Sequence, residues 1–512
     1  VTTLPDIVLL VLDTQRLDRL SCYGYRQETT PYLDKLAQDA TLYRHAYATA
    51  QWTVPSHASM FTGLYPDQHT MLHASSLLPG QLPTLAERLG QAGYFTAAFC
   101  NNPLIGVVNT GLQRGFHSFL NYSGLMTSRP HQSGDQKHLL DRYRQHFKRF
   151  LANGITGLQD IFAHSDLLLD LSFSPLMAPL WQTALSFKGN TAKSLNDAAS
   201  LHIERKGIEQ GQPVFSFINL MGVHMPYHAT PRFRERFAPR VQQDRHTRQA
   251  LQHFNSDVFG WMAPLTSALD AKDYALLSAM YDAEVAFQDE LVGTFLEQLR
   301  ASGVLDRSLL IICADHGEHL GEKQLMGHSI AVYNTLVHVP LLIRDPAGAF
   351  PRGTTSEQVV STRRIFHTAL TAAEQASDAE QAYTLAQSVS SDPDQQRIFA
   401  SGVTPQNLLN VMQRRRPDLI EAYHCDQPRQ AVWQGRYKLI KTGEEKLELY
   451  DVYEDPDELI DLCSILPEQV EELQAAFVSE DRNQFKQQVS AAANLQDDPV
   501  VRRRLYDLGY LE

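Results

Sequence analysis

Cysteine is scarce: five in 512 residues, scattered at Cys22, Cys100, Cys313, Cys425 and Cys463, with no C-x-x-C among them. That spacing argues against both a disulfide framework and a thiolate zinc site. Basic residues are outnumbered, 45 against 58 acidic, leaving a formal charge of −13. The balance does not advertise the basic face of a nucleic-acid binder. No apolar run reaches the roughly 20 clean residues of a membrane span. The most apolar stretch, Leu167 to Phe187, is broken by Asp170, Pro175, Pro179 and Gln182. It reads as a buried helical hairpin or a contact between copies ahead of an apolar substrate wall. Val1 to Leu12 carries no basic leader, so a cytoplasmic setting is expected, with a periplasmic one left open if a leader precedes residue 1. P-loop, HExxH, EF-hand and G-x-S-x-G signatures are missing as well.

What remains is an ordinary globular composition, 43% apolar, 9% aromatic and 20% charged, with length for about three domains. Ile7-Val-Leu-Leu-Val-Leu12 is continuously apolar, as a strand covered on both faces must be. Phe95–Cys100, Val214–Leu220 and Leu309–Cys313 read as further strands. Leu33–Leu42, Leu82–Ala92 and the amphipathic Tyr281–Leu299 read as helices. The alternation predicts an α/β fold with a large, mostly parallel sheet and helices on both faces. Residues 1–425 form the expected catalytic domain, with a helical insertion at about 124–210. Residues 426–512 form a small C-terminal subdomain: Ala431–Ile440 alternates, Leu447–Asp451 follows across a charged turn, and the pair reads as an antiparallel hairpin. Leu466–Phe477 reads as a helix after it. Lys438, within the alternating run, reads as an exposed strand residue.

Two carboxylates stand where buried strands end, Asp13 after Leu12 and Asp315 after Ala314, with His316 beside the second. In an open parallel sheet, ligands gather beyond the carboxyl ends of the strands, so the three could converge as a divalent-metal shell. The bland alternative is that each Asp caps a turn. The run Asp315-His-Gly-Glu318 favours the metal, because packing has little use for three ionisable groups at a strand end. Pro55 suits the first turn of a helix, which sets Thr53 at or just before its N-cap, near unpaired N–H groups and the positive dipole end. A simple cap is the alternative there too.

These segments resemble the sulfatases of the alkaline phosphatase superfamily. Pro5-Asp-Ile-Val-Leu-Leu-Val-Leu-Asp13 resembles their opening strand and metal aspartate. Thr53-Val-Pro-Ser-His-Ala-Ser-Met-Phe-Thr-Gly63 is similar to their nucleophile signature, Cys or Ser-x-Pro-Ser-Arg followed by Thr-Gly. Ala314-Asp-His-Gly-Glu-His-Leu-Gly321 with Gly327-His328 is similar to their second metal motif, and His224-Met-Pro-Tyr227 to the segment supplying the leaving-group histidine. Gly435-Arg-Tyr-Lys-Leu-Ile440, Leu449-Tyr-Asp451 and Asp455-Pro456 resemble their C-terminal subdomain, and Leu505-Tyr-Asp-Leu-Gly-Tyr-Leu511 their tail.

The departures carry the functional expectation. The family's formylglycine is made only from Cys or Ser, so Thr53 implies none. The usual arginine is His57, the second aspartate is Thr14, and the usual asparagine is His316. Cys100-Asn-Asn-Pro103 replaces a segment with a lysine and a histidine. These changes resemble the superfamily's threonine-nucleophile phosphoesterases and phosphonate monoester hydrolases. The implied enzyme cleaves a phosphate ester, phosphodiester or phosphonate ester through a phosphothreonine. Asp13, Thr53, Asp315 and His316 hold one divalent cation, zinc or manganese ahead of magnesium or calcium. His224 and His328 join Thr53 as catalytic residues, and His57, Asn101 and Asn102 bind substrate. For His57, a hydrogen bond to a backbone carbonyl is an equal alternative. The expected partner is a small anionic ester; nucleic acid and an integral membrane segment are not expected, and a homo-oligomer is compatible. The rival functions are a sulfate-ester hydrolase using unmodified Thr53, a soluble phosphoryl transferase, and an inactive binding protein on the same fold.

Overall fold

The computed structural model describes residues 4–123, 131–132, 188–256 and 261–477. In chain order the strands are β1 (Asp6–Leu12), β2 (Thr41–Tyr47), β3 (Phe95–Cys100), β4 (Ser118–Asn121), β5 (His131–Gln132), β6 (Val214–Leu220), β7 (Ser308–Cys313), β8 (His319–Leu320), β9 (Met326–Gly327), β10 (Leu341–Arg344), β11 (Thr354–Ser361), β12 (Arg397–Gly402), β13 (Arg429–Gln434), β14 (Tyr437–Thr442) and β15 (Lys446–Asp451). A nine-stranded sheet runs β11-β2-β10-β7-β1-β6-β3-β4-β5. It is parallel from β7 through β4, while β10 runs against both its neighbours and β5 against β4.

The continuous apolar run of β1 has a two-sided explanation. Successive side chains of a strand point to opposite faces. Ile7, Leu9 and Val11 join Val54, Ala58, Met60 and Phe61 of the Thr53–Thr62 helix. Val8, Leu10 and Leu12 pack instead with Leu195 of the Thr191–Glu204 helix and with Val292, Phe295 and Leu299 of the Ala271–Ala301 helix. Each of these β1 side chains is at most 1% exposed, worth about 2 kcal/mol of transfer free energy. Both faces of the sheet are therefore covered, and its carboxyl-terminal edge is left for chemistry.

A separate sheet runs β12-β13-β14-β15, antiparallel throughout. The single arm expected over Ala431–Ile440 is two strands. Gln434 pairs with Tyr437 around Gly435-Arg436, and Gly435 takes a φ of +58°, which a residue without Cβ adopts readily. The sheet also takes β12 from ahead of residue 426. Lys438 corrects the expectation more sharply. It is fully buried, bonded to Glu458 Oε1 at 2.6 Å and Val332 O at 2.7 Å, because its face of β14 packs on the large domain rather than on water.

The helix expected to Leu42 ends at Ala37, and Thr41 starts β2. The long helix extends to both sides of the expected Tyr281–Leu299 and buries the acids Asp282, Glu284 and Asp289 along with its apolar stripe. Within the expected insertion, Thr191–Glu204 is helical; residues 124–130 and 133–187, including Leu167–Phe187, lie outside the described residues, as does Leu505–Leu511. Among the described residues, no helix is long and apolar enough to cross a membrane.

Candidate active site

Asp13 follows the last residue of β1, and its N–H still bonds to Leu220 O of β6 at 2.8 Å. Asp315 and His316 follow β7, the other neighbour of β1. Adjacency in the sheet thus brings together residues far apart in sequence. All three are fully buried, and one ligand atom from each lies within 4.8 Å of the others. Main-chain N–H groups of Thr14 (3.3 Å) and His316 (2.9 Å) occupy Asp315 Oδ1. Asn102 Nδ2 (2.7 Å) and Asn219 Nδ2 (3.3 Å) occupy Asp13 Oδ2. Asp13 Oδ1 and Asp315 Oδ2 accept no hydrogen bond.

Burial, then the neighbouring Asp315, pushes Asp13 up to about 7. Burial pushes Asp315 up to about 8. Burial, helped by His328, lowers His316 to about 4. His316 Nδ1–H donates to Gly317 O at 2.9 Å, so the neutral ring turns a lone pair on Nε2 toward the carboxylates. Two buried acceptors without donors and one aimed imidazole nitrogen suit a divalent cation, which would relieve the repulsion that raises both carboxylates.

Thr53 is the first residue of its helix, with Trp52 in extended conformation before it. Its hydroxyl lies 3.3 Å from His316 Nε2 and 3.4 Å from Asn102 Nδ2, at the dipole end where negative charge is favoured. His57, one turn on, gives its Nδ1–H to Thr53 O at 2.9 Å. Of the two readings open for His57, the backbone bond is the one formed. Its ring is buried, faces Asn219 at 3.4 Å and lies 3.5 Å from Asp315 Oδ2. Asn101 turns away, its amide reaching Lys188 O and Thr191 Oγ1, both at 3.3 Å.

Beyond His316, the His328 ring lies 4.6 Å away and the His224 ring 4.9 Å beyond that, centroid to centroid. His224 is half-buried, the more open end of this imidazole row. Burial lowers His328 to about 3, and burial with His328 lowers His224 to about 3. His328 donates Nδ1–H to Glu318 Oε1 at 2.7 Å. Glu318 and Asn219 were not among the expected site residues. The acidic run at 315–318 pointed to Glu318. Asn219 carries no sequence signal, lying inside an apolar strand.

The family model for sulfatases matches residues 5–375 of the chain. The protein belongs to the sulfatase family. Sulfatase-family enzymes use a divalent metal, and the Asp13, Asp315 and His316 cluster could hold one. Choline-sulfatase of Rhizobium meliloti (strain 1021) is 21% identical over 85% of this chain and 77% of its own. The uncharacterized sulfatase YidJ of Escherichia coli (strain K12) is also 21% identical, over 67% of this chain. The match spans 63% of YidJ, a little under two thirds of that relative's length. Phosphonate monoester hydrolase of Agrobacterium radiobacter shares the fold, with a TM-score of 0.62 and 19% identity over 94% of this chain and 96% of the hydrolase. Within the sulfatase fold, then, this member carries a threonine hydroxyl at the helix terminus and an imidazole among its candidate metal ligands.

Proposed function

We propose that this sulfatase-family hydrolase cleaves a phosphate ester, phosphodiester or phosphonate ester, with Thr53 as an unmodified nucleophile. The observation that carries the reading is the Thr53 hydroxyl at a helix N-terminus, 3.3 Å from His316 Nε2 beside two unpartnered carboxylate oxygens. Asp13, Asp315 and His316 would hold the cation, zinc or manganese, with Thr53 turned toward it. When bound, the cation supplies Lewis-acid stabilisation of alkoxide and phosphoryl charge.

The chain's own groups do the rest. Thr53 Oγ attacks phosphorus in line, forming the O–P bond of a phosphothreonine while the bond to the ester oxygen breaks. His224, at the open end of the imidazole row, delivers a proton to that departing oxygen and takes one from the water that clears the intermediate. Its low pKa makes the neutral form the resting state, so the proton that the Thr53 hydroxyl gives up on attack balances the one His224 passes to the departing oxygen. His328, backed by Glu318, and the Asn102 amide face the developing charge on the phosphoryl oxygens. His57 supports the helix turn through Thr53 O.

Intact-mass analysis after brief turnover of a nitrophenyl phosphonate or phosphodiester tests the reading. The expected result is a phosphoryl adduct on the Thr53 peptide, absent from Thr53→Ala. Turnover of nitrophenyl sulfate alone, with no adduct from either phosphorus ester, would overturn it.

A further inference from the structure

The two candidate metal carboxylates are held alike. In each, one oxygen is occupied by protein N–H donors and the other is left bare toward the site. For Asp315 the donors are main-chain. For Asp13 they are two side-chain amides, Asn102 and Asn219, both on Oδ2. Those asparagines are themselves locked. Asn219 is fully buried in β6 and its Oδ1 accepts the Asn102 N–H at 3.1 Å. Asn102 Oδ1 caps Leu104 N at 2.9 Å. Neither amide can flip without placing an acceptor against the carboxylate, since the opposite face of each is committed to a backbone donor.

A carboxylate held this way has both lone pairs of its second oxygen in use, and cannot offer both oxygens to one cation without displacing a buried hydrogen bond. The site therefore presents three single-atom donors: Asp13 Oδ1, Asp315 Oδ2 and His316 Nε2. Calcium takes six to eight oxygens, often from bidentate carboxylates. Zinc and manganese accept an imidazole and fewer protein donors. We infer that Asn219 and Asn102 are positioning residues that keep Asp13 a one-oxygen ligand, and that this clamp sets the centre's preference for a transition-metal cation over calcium. The inference rests on the proposed function only in taking Asp13, Asp315 and His316 as the ligands.

Isothermal titration of metal-free protein with MnCl2, ZnCl2 and CaCl2 separately tests it, on wild type, Asn219→Ala and Asn102→Ser. Serine keeps the cap on Leu104 N, so the second variant stands if the buried Asn219→Ala fails to fold. Wild type is expected to bind Mn²⁺ and Zn²⁺ more tightly than Ca²⁺. Either variant should weaken Mn²⁺ binding about tenfold while Ca²⁺ binding holds or improves, so the preference shrinks about tenfold or more. A purely structural role would lower the melting temperature and leave the ratio of dissociation constants unchanged, which would overturn the clamp. Equal binding of Ca²⁺ and Mn²⁺ by wild type would also overturn it, leaving the cation site standing. Uptake of none of the three ions would overturn both.

Discussion

Lys438 offers a stringent test of how the C-terminal sheet is tied to the catalytic domain. Its Nζ bonds to Glu458 Oε1 (2.6 Å), Val332 O (2.7 Å) and Asn334 Oδ1 (3.2 Å), and lies 4.7 Å over the Trp433 ring. Burial pulls the ammonium down to about 8 against the opposing pull of Glu458. In Lys438→Met the stem is replaced at similar volume, but the Glu458 carboxylate, 1% exposed, keeps only the Asn334 N–H at 2.7 Å as a hydrogen bond, with the Lys323 ammonium on Glu458 O as its remaining cation. An uncompensated buried charge costs about 3–5 kcal/mol. Two abandoned acceptors add about 1 kcal/mol each where water cannot reach them; with the Lys323 cation holding the charge cost near its lower end, about 5 kcal/mol in all is expected. Lys438→Met/Glu458→Leu removes both charges and should recover more than half of that loss. Because a chain of this size need not unfold in one step, the assay is native-state hydrogen exchange over residues 429–451, which reads local opening free energy directly. A loss below about 1 kcal/mol in the single variant, or a double variant as unstable as the sum of its parts, would refute the reasoning.

Further outcomes follow from other residues. With Asp13 near 7 and Asp315 near 8 in the metal-free protein, cation binding should release protons; affinity should rise with pH and level off above about 8. Titration calorimetry in two buffers checks this, and a pH-independent affinity contradicts it. Thr53→Ala should lower kcat/KM for a phosphonate ester by about 10⁴ or more, read from initial rates. For Asp6, burial alone would raise the pKa, but His202, the Val214 N–H and Arg205 hold it below 3.8. Its stabilisation is therefore complete above that value and lost as pH falls through the depressed one. Asp6→Asn should flatten the acid limb of a melting-temperature profile and lower its plateau. Gly293→Ala would set a Cβ 2.1 Å from Tyr32 Cγ. The clash should cost about 1–3 kcal/mol despite the roughly 1 kcal/mol that alanine gains in a helix, measured by denaturant midpoint.

The central strands were legible because burial on both faces leaves a continuous apolar run, and Val214–Leu220 was read to the residue. Asp13, Asp315 and His316 were legible from the rule that parallel strands open toward ligands at their carboxyl ends. The C-terminal strands were only half legible: alternation over Ala431–Ile440 continues through a two-residue turn, so the pattern alone did not mark the reversal at Gly435. Lys438 was misread for a related reason. Alternation says which residues share a face of a strand, and not whether that face meets water or another domain.

Residue types and their local order determined the sheet, the buried strand ends and the hydroxyl at a helix start, because these depend on periodicity and short-range sterics. Only the tertiary structure decided that β1 lies between β6 and β7, and that adjacency turns separate motifs into one pocket. It also chose which oxygen of each carboxylate is already bonded and which is bare. That choice depends on Asn219 and Asn102, whose amides reach Asp13 only because β3, β6 and β1 end side by side, a relation through space that no spacing along the chain encodes.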